Sequence, residues 1–293
     1  MNADIQKLPR HFLPADFTVT AWDTLEPYFT DLRDRNIGSA EELQQWLKDA
    51  SELEAVISED ACWRQIRMTC DTENKQLEEA FNFFMMEIQP KIQEWSDLLN
   101  RKLVENPFVK DLDQDAYFTY LRNVRKSIEL FRPANVPLQA ELNVEAQKFG
   151  MVAGKMTVQV NGEEFTLQQA ARFLEDADRG LREDVYRKIA DRRLQDKETL
   201  DELFTSMLQK RHQIAVNAGF DNYRDYRFRE LGRFDYTKED CFKFQEAVKL
   251  HVMPLVDQIY RAKKKQLGLD TLRPWDLFFF SSRRRHTRFD CDW

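Results

Sequence analysis

Eight large apolar side chains, Leu77, Phe81, Phe84, Ile88, Ile92, Trp95, Leu99 and Leu103, recur at spacings of 4, 3, 4, 4, 3, 4 and 4. That period puts them on one stripe of one helix. It predicts a helix from about Thr72 to Glu105, stopped by Asn106-Pro107. At 1.5 Å per residue such a rod extends on the order of 50 Å, longer than most globular helices, and it must be covered along one side by other elements. Pro90 lies inside it. Its missing N–H and its ring predict a kink between Met86 and Pro90.

The other periodic segments are also helical. Ser39-Ala40-Glu41-Glu42 reads as a capping box opening a helix through Leu43, Trp46 and Leu47. Tyr117, Tyr120, Leu121, Val124 and Ile128 mark a second, ending before Arg132-Pro133. Thr166-Leu167-Gln168-Gln169 predicts a helix through Phe173 and Leu174 that stops near Gly180, and the apolar positions from Leu181 run to a C-terminal cap at Gly219. Arg192 to Glu198 is so charged that this span reads as one solvated helix or two. Thr237 opens a last long helix through Phe242, Leu250, Leu255 and Ile259, kinked at Pro254 and ending at Gly268. Only one stretch changes period. Met156, Val158 and Val160 alternate with polar residues before Asn161-Gly162, which predicts a two-residue hairpin turn because both positions tolerate positive φ.

The expected fold is therefore all-α, mainly long helices, with one small β-hairpin near residues 155–166. Composition agrees, since 8 Gly and 9 Pro in 293 residues are too few for the turns of an all-β protein. A net charge of -7 gives no overall attraction to nucleic acid or anionic lipid. No stretch reaches the roughly 18 apolar residues of a membrane span, and the amino terminus lacks the apolar core of a secretory signal, so no membrane, no nucleic acid and a cytoplasmic location are expected. Cys62, Cys70, Cys241 and Cys291 have no metal-site spacing and read as reduced thiols, Cys241 as a packed one.

Motifs that carry chemistry are scarce. A His-Glu-x-x-His zinc helix needs two imidazoles one turn apart with a carboxylate to take the proton of the bound water. The four histidines, His11, His212, His251 and His286, contain no such pair. Phosphate-cradling glycine loops and the Gly-x-Ser-x-Gly elbow are absent as well. The carboxylates interleave with Lys and Arg at helical spacing, the pattern of solvated faces. The aromatic stripe around Phe81, Phe84, Met85 and Met86 reads as core ahead of a peptide groove.

Three segments carry a family resemblance: Cys62 to Asn74, Arg211 to Tyr223, and Arg233-Phe234-Asp235-Tyr236-Thr237. With the long helix between them, they resemble the oligoendopeptidase F family of thimet-oligopeptidase-like zinc metallopeptidases, over roughly residues 1 to 277. The resemblance implies the amino-terminal half of a two-lobed helical enzyme that cuts short oligopeptides in a cleft. It implies a division into an amino-terminal helical region (1–110), a subdomain with the hairpin (111–180) and the start of the catalytic domain (181–277). Family members hold one zinc ion through His-Glu-x-x-His and a further Glu, all in the second half. No catalytic or metal-binding residue is therefore assigned here, no zinc is expected on this chain, and inactivity is expected without its missing carboxy-terminal half. Arg229, Arg233 and Tyr236 are the candidate substrate contacts, because they follow the family-like run and can donate hydrogen bonds to peptide carbonyls.

The end departs from the rest. Residues 278–293, with Arg283, Arg284, Arg285 and Arg288, continue no helical or strand period and resemble a translated sequencing-adapter read-through, so a non-native tail is expected there. Two readings compete with the peptidase: a non-catalytic helical peptide- or protein-binding module, and a nucleic-acid binder resting on that arginine cluster alone.

Overall fold

A computed structural model describes residues 9–278. The expected tail, from residue 279 onward, lies outside the described residues, as do His286 and Cys291. The architecture is mainly helical with one hairpin, and the chain divides into two compact units. One holds the stretch up to Gly150 together with Phe204–Phe234, the other Met151–Leu203 together with the stretch from Asp235.

In the first unit, α1 (Trp22–Asp34), α2 (Ala40–Cys70), α3 (Lys75–Phe83), α4 (Gln89–Glu105) and α5 (Gln114–Leu130) surround one core. Phe84, Ile88, Ile92, Leu99 and Leu103 of the predicted stripe lie in it with Trp46, Leu25 and Leu32. Fixed polar groups tie the helix ends. Ser39 accepts from the N–H of Glu42 as expected, but the Glu42 carboxylate reaches Gly38 N at 2.7 Å rather than Ser39. The Lys102 ammonium donates to the carbonyls of Leu32, Arg33 and Arg35 at 3.0, 2.7 and 2.5 Å, and so caps the carboxyl end of α1.

The predicted rod is interrupted as Pro90 requires. Between α3 and α4 the segment Phe84–Ile88 is a π-helical turn, and the N–H of Gln89 bonds Phe84 O, five residues back. The wider, five-residue step lets the helix pass the proline without ending the stripe. The same solution recurs in the second unit, where Val248–Val252 forms a π-turn two residues before Pro254 and Met253 N bonds Val248 O.

The first unit also contains most of α6 (Asn135–Gly154), the later part of α9 (Lys197–Asn217) and α10 (Tyr223–Glu230). The second begins with β1 (Thr157–Val160) and β2 (Glu163–Thr166), antiparallel with Val158 opposite Phe165 and Val160 opposite Glu163. Asn161 and Gly162 have φ of 54° and 85°, the type I′ turn the sequence predicts. Thr166 and Gln169 form the expected capping box, but its helix is short: α7 (Leu167–Ala170) passes into a 3₁₀ turn, Ala171–Glu175. It does not reach Gly180, because Asp176 and Asp178 accept from Asp178 N and Gly180 N and start a new helix, α8 (Arg179–Gln195). Two helices, α8 and α9, fill the charged span, parted at Asp196.

Last come α11 (Lys238–Ala247), α12 (Met253–Gln266) and the short α13 (Pro274–Leu277). The apolar positions of α11 and α12 are not core. Phe242, Phe244, Leu250, Leu255 and Ile259 are exposed, and neither helix has a buried residue. Cys241 is half-buried on the same helix, and Cys62 and Cys70 are exposed. No helix among the described residues is long and apolar enough to cross a membrane.

Candidate functional site

The run from Arg211 to Tyr223 forms the end of α9 and its turn into α10. Gly219 has φ 89°, Phe220 N bonds Ala215 O at 2.9 Å and Gly219 N bonds Val216 O at 3.0 Å, so the helix closes in a left-handed cap. Asn135 at the start of α6 fixes this turn. Its amide donates to Ile214 O at 3.0 Å and accepts from Asn217 Nδ2 at 2.8 Å, with the residue only 2% exposed. Arg132 Nη2 adds a bond to Ala218 O at 3.3 Å. Asn222 then caps α10 by accepting from Asp225 N. The sequence family-like run is thus a rigid corner packed on Leu130, Ile214, Ala215, Ala218 and Tyr226.

The candidate contacts take different places, Arg229 on α10 and Arg233 and Tyr236 beyond its end. Arg229 holds the Glu129 carboxylate, Nη2 to Oε2 at 2.5 Å, and its guanidinium lies 5.0 Å from the Phe234 ring centre. Arg122 stacks on the same ring at 4.2 Å. Arg233 lies 5.2 Å over the Phe228 ring and is exposed. Tyr236 is exposed and belongs to the second unit. Arg229 and Arg233 therefore share one corner of the first unit, with Nε and Nη2 of Arg229 engaged on Glu129.

Sequence reasoning missed a cavity of about 710 Å³ inside the first unit, lined by α2, α4, α5, α6 and α10. Glu54, Gln93, Asp97, Tyr120, Tyr226 and Glu230 are among its walls. Tyr226 is 2% exposed, and its hydroxyl donates to Glu230 Oε1 at 3.3 Å. Burial and the Glu230 charge push this phenol above its ordinary value, which keeps it a neutral donor. Tyr120 is shifted upward too, by burial and then by Glu54. Lys126 donates to Glu230 O at 3.0 Å. The signal was present in the chain, since Gln89, Gln93, Asp97 and Asn100 recur at helical spacing beside the apolar stripe.

Metal chemistry finds no donor set. Among the described residues no three His, Cys, Asp or Glu side chains come together to hold an ion, and His11, His212 and His251 are all exposed. The described residues therefore offer no donor set that fits a zinc ion.

Two family models match the chain in succession: the peptidase M3 N-terminal domain over residues 12–131, and peptidase family M3 over residues 172–293. Among solved structures, one assigned as an oligoendopeptidase F superposes with a TM-score of 0.84 at 24% identity, covering 90% of this chain and 47% of that one. Another, assigned as an oligoendopeptidase F from Bacillus anthracis str. Ames, gives a TM-score of 0.84 at 19% identity, covering 90% of this chain and 49% of that one. PZ peptidase A with an inhibitor gives 0.83 at 24% identity, covering 88% and 46%. The chain thus spans about half the length of these structures. No curated protein sequence matches it.

Proposed function

The chain belongs to peptidase family M3, and on that premise we propose that it is the amino-terminal part of a zinc-dependent oligoendopeptidase that hydrolyses short peptides. The observation that carries this reading is the pair of family matches in succession, combined with coverage of about half of each solved relative. In this reading 1–110 and 111–180 are the helical region and hairpin subdomain, and 181–277 opens the catalytic domain. The chain supplies one wall of the peptide cleft and no metal ligand. Arg229, Arg233 and Tyr236 are its proposed substrate contacts, and its partner is the carboxy-terminal half of the same enzyme, working in the cytoplasm. The exposed apolar residues of α11 and α12 support a covering partner.

Alone, the chain is proposed to be inactive toward peptides. The test is cleavage of a quenched fluorescent peptide by purified protein with added zinc, where turnover abolished by a chelator overturns the proposal. Reading the source gene beyond the codon for Leu277 is the companion test. A continuing frame with His-Glu-x-x-His supports the peptidase, and a stop in independent clones favours the second reading, a non-catalytic helical binding module. That alternative draws on the cavity of the first unit, whose walls mix apolar and polar side chains.

A further inference from the structure

The second unit holds a cavity of its own, of about 430 Å³, between α12 and the segment that leads into α13. Asp257, Tyr260, Arg261 and Lys264 follow one another at helical spacing, which puts them on one face of α12, and that face is one wall. Leu272, Arg273, Pro274 and Leu277 form the other. This second wall is fixed in place. Lys263 donates to Leu277 O at 2.5 Å, Arg273 N–H donates to Asp276 Oδ2 at 2.9 Å, and Trp275 and Asp276 are buried. The lining sets three cations against one carboxylate, a surplus of two positive charges. Arg261 and Lys264 are exposed, and their side-chain nitrogens enter no hydrogen bond or ion pair among the described residues. Arg273 is exposed too, and its hydrogen bonds are those of its main chain. Other helices of this chain pair such cations with a carboxylate one turn away, as Arg187 pairs with Glu183 and Lys249 with Glu246. Asp257 stands four positions before Arg261 and makes no such bridge among the described residues.

We propose that this cavity binds a phosphate monoester carried on a flat apolar body, with the phosphate among Arg261, Lys264 and Arg273. Such a phosphate brings three acceptor oxygens and close to two negative charges at neutral pH, matching the surplus of the lining and the donors of two guanidinium groups and one ammonium. A monocarboxylate brings half that charge, and a cation meets repulsion. Tyr260, Leu272, Pro274 and Leu277 supply an apolar bed for the body, and the volume falls within the usual range of small-molecule sites. The carboxyl end of α12 carries the negative end of the helix dipole, which opposes an anion. Its carbonyls at Lys263, Lys264 and Lys265 are taken by the N–H groups of Leu267, Leu269 and Gly268 at 3.0, 3.1 and 3.2 Å, so the cationic side chains dominate there. Free phosphate and an organic phosphate share this chemistry, and the test separates them. The inference is independent of the peptidase reading, because binding is measured on this chain without zinc or turnover.

The experiment is isothermal titration of the full chain with phenyl phosphate, with phenylacetate as the singly charged match and inorganic phosphate as the anion without a body. Saturable one-to-one binding of phenyl phosphate is expected, with phenylacetate about tenfold weaker and inorganic phosphate weaker by about threefold. Arg261→Gln and Arg273→Gln each weaken phenyl phosphate by about fivefold or more while circular dichroism stays native. Asp257→Asn removes the one repelling carboxylate and tightens binding by about twofold or more, a gain that a merely structural role does not give. If Arg273→Gln loosens the segment before α13, Arg261→Gln, on the exposed face of α12, carries the test alone. Equal affinity for phenyl phosphate and inorganic phosphate overturns the apolar bed and with it the proposal. No saturable uptake of phenyl phosphate by folded protein, or an affinity unchanged in Arg261→Gln, overturns it as well.

Discussion

Asp276, with no exposed surface, is held between two guanidinium groups, and the buried one, Arg182, brings Nη2 to 3.4 Å from Oδ1. Arg179 adds bonds from Nε and Nη2 at 2.9 and 3.0 Å. Arg182 is itself 3% exposed and spends its remaining donors on the carbonyls of Trp275, Asp176 and Ala177. This cluster fastens α13 to the start of α8 in the second unit.

Breaking one side of such a pair leaves an uncompensated buried charge. Asp276→Ala is expected to cost about 3–5 kcal/mol, read as a lowered midpoint in urea unfolding followed at the far-ultraviolet band. Burial alone would raise the Asp276 pKa, but the bonds from Arg179, Arg273 N–H and Arg182 outweigh it and hold the carboxyl below its ordinary value. The carboxylate therefore contributes stability that is fully present above the ordinary carboxylate range and is lost as pH falls below it. Asp276→Asn should lose that acid-side slope, and an unchanged slope between neutral pH and pH 3 would contradict the assignment.

At the hairpin, Gly162 has φ 85° and open space around the position of an added Cβ. Strain alone therefore sets the effect of substitution. Gly162→Ala should cost about 1–2 kcal/mol, whereas Asn161→Gly should be close to neutral, both by thermal melting.

Asn135 closes the corner formed by α6 and the end of α9. Asn135→Leu takes one of two donors from Ile214 O, which keeps Ala218 N, and leaves Asn217 Nδ2 without its acceptor, and should cost about 1–3 kcal/mol. Loss of amide-exchange protection in the Ala215–Phe220 turn is the confirming measurement, and native protection there would count against the clamp.

Arg229 and Glu129 form an exposed ion pair, with side chains 38% and 48% exposed. Arg229→Ala should change stability by less than about 1 kcal/mol. If Arg229 touches substrate as proposed, the same change in a full-length enzyme raises KM for short peptides several-fold. An unmoved KM removes it from the substrate contacts.

The apolar residues of α11 and α12 give the last prediction. Phe244 and Ile259 are 70% and 62% exposed, so the isolated chain should self-associate through this surface. Phe244→Glu with Ile259→Glu should shift it toward monomer in light scattering. A wild-type chain that is monodisperse at high concentration would contradict the expectation.

The chain alone determined its local structure where a single period or turn was at stake. The stripe from Phe81 to Leu103, the break forced by Pro90, the Asn161-Gly162 turn and the caps at Ser39, Thr166, Thr237 and Gly219 follow from spacing and backbone stereochemistry, which act over a few residues. Tertiary structure decided which faces are inside. The apolar residues of α11 and α12 have the same helical spacing as those of α4, yet they are exposed, since burial depends on what packs opposite and not on period. It also decided that Asn135 reaches Ile214, 79 positions on, and that the polar residues of α4 open onto a cavity rather than onto solvent. Contacts of that kind join segments far apart in the chain, and no local pattern encodes them.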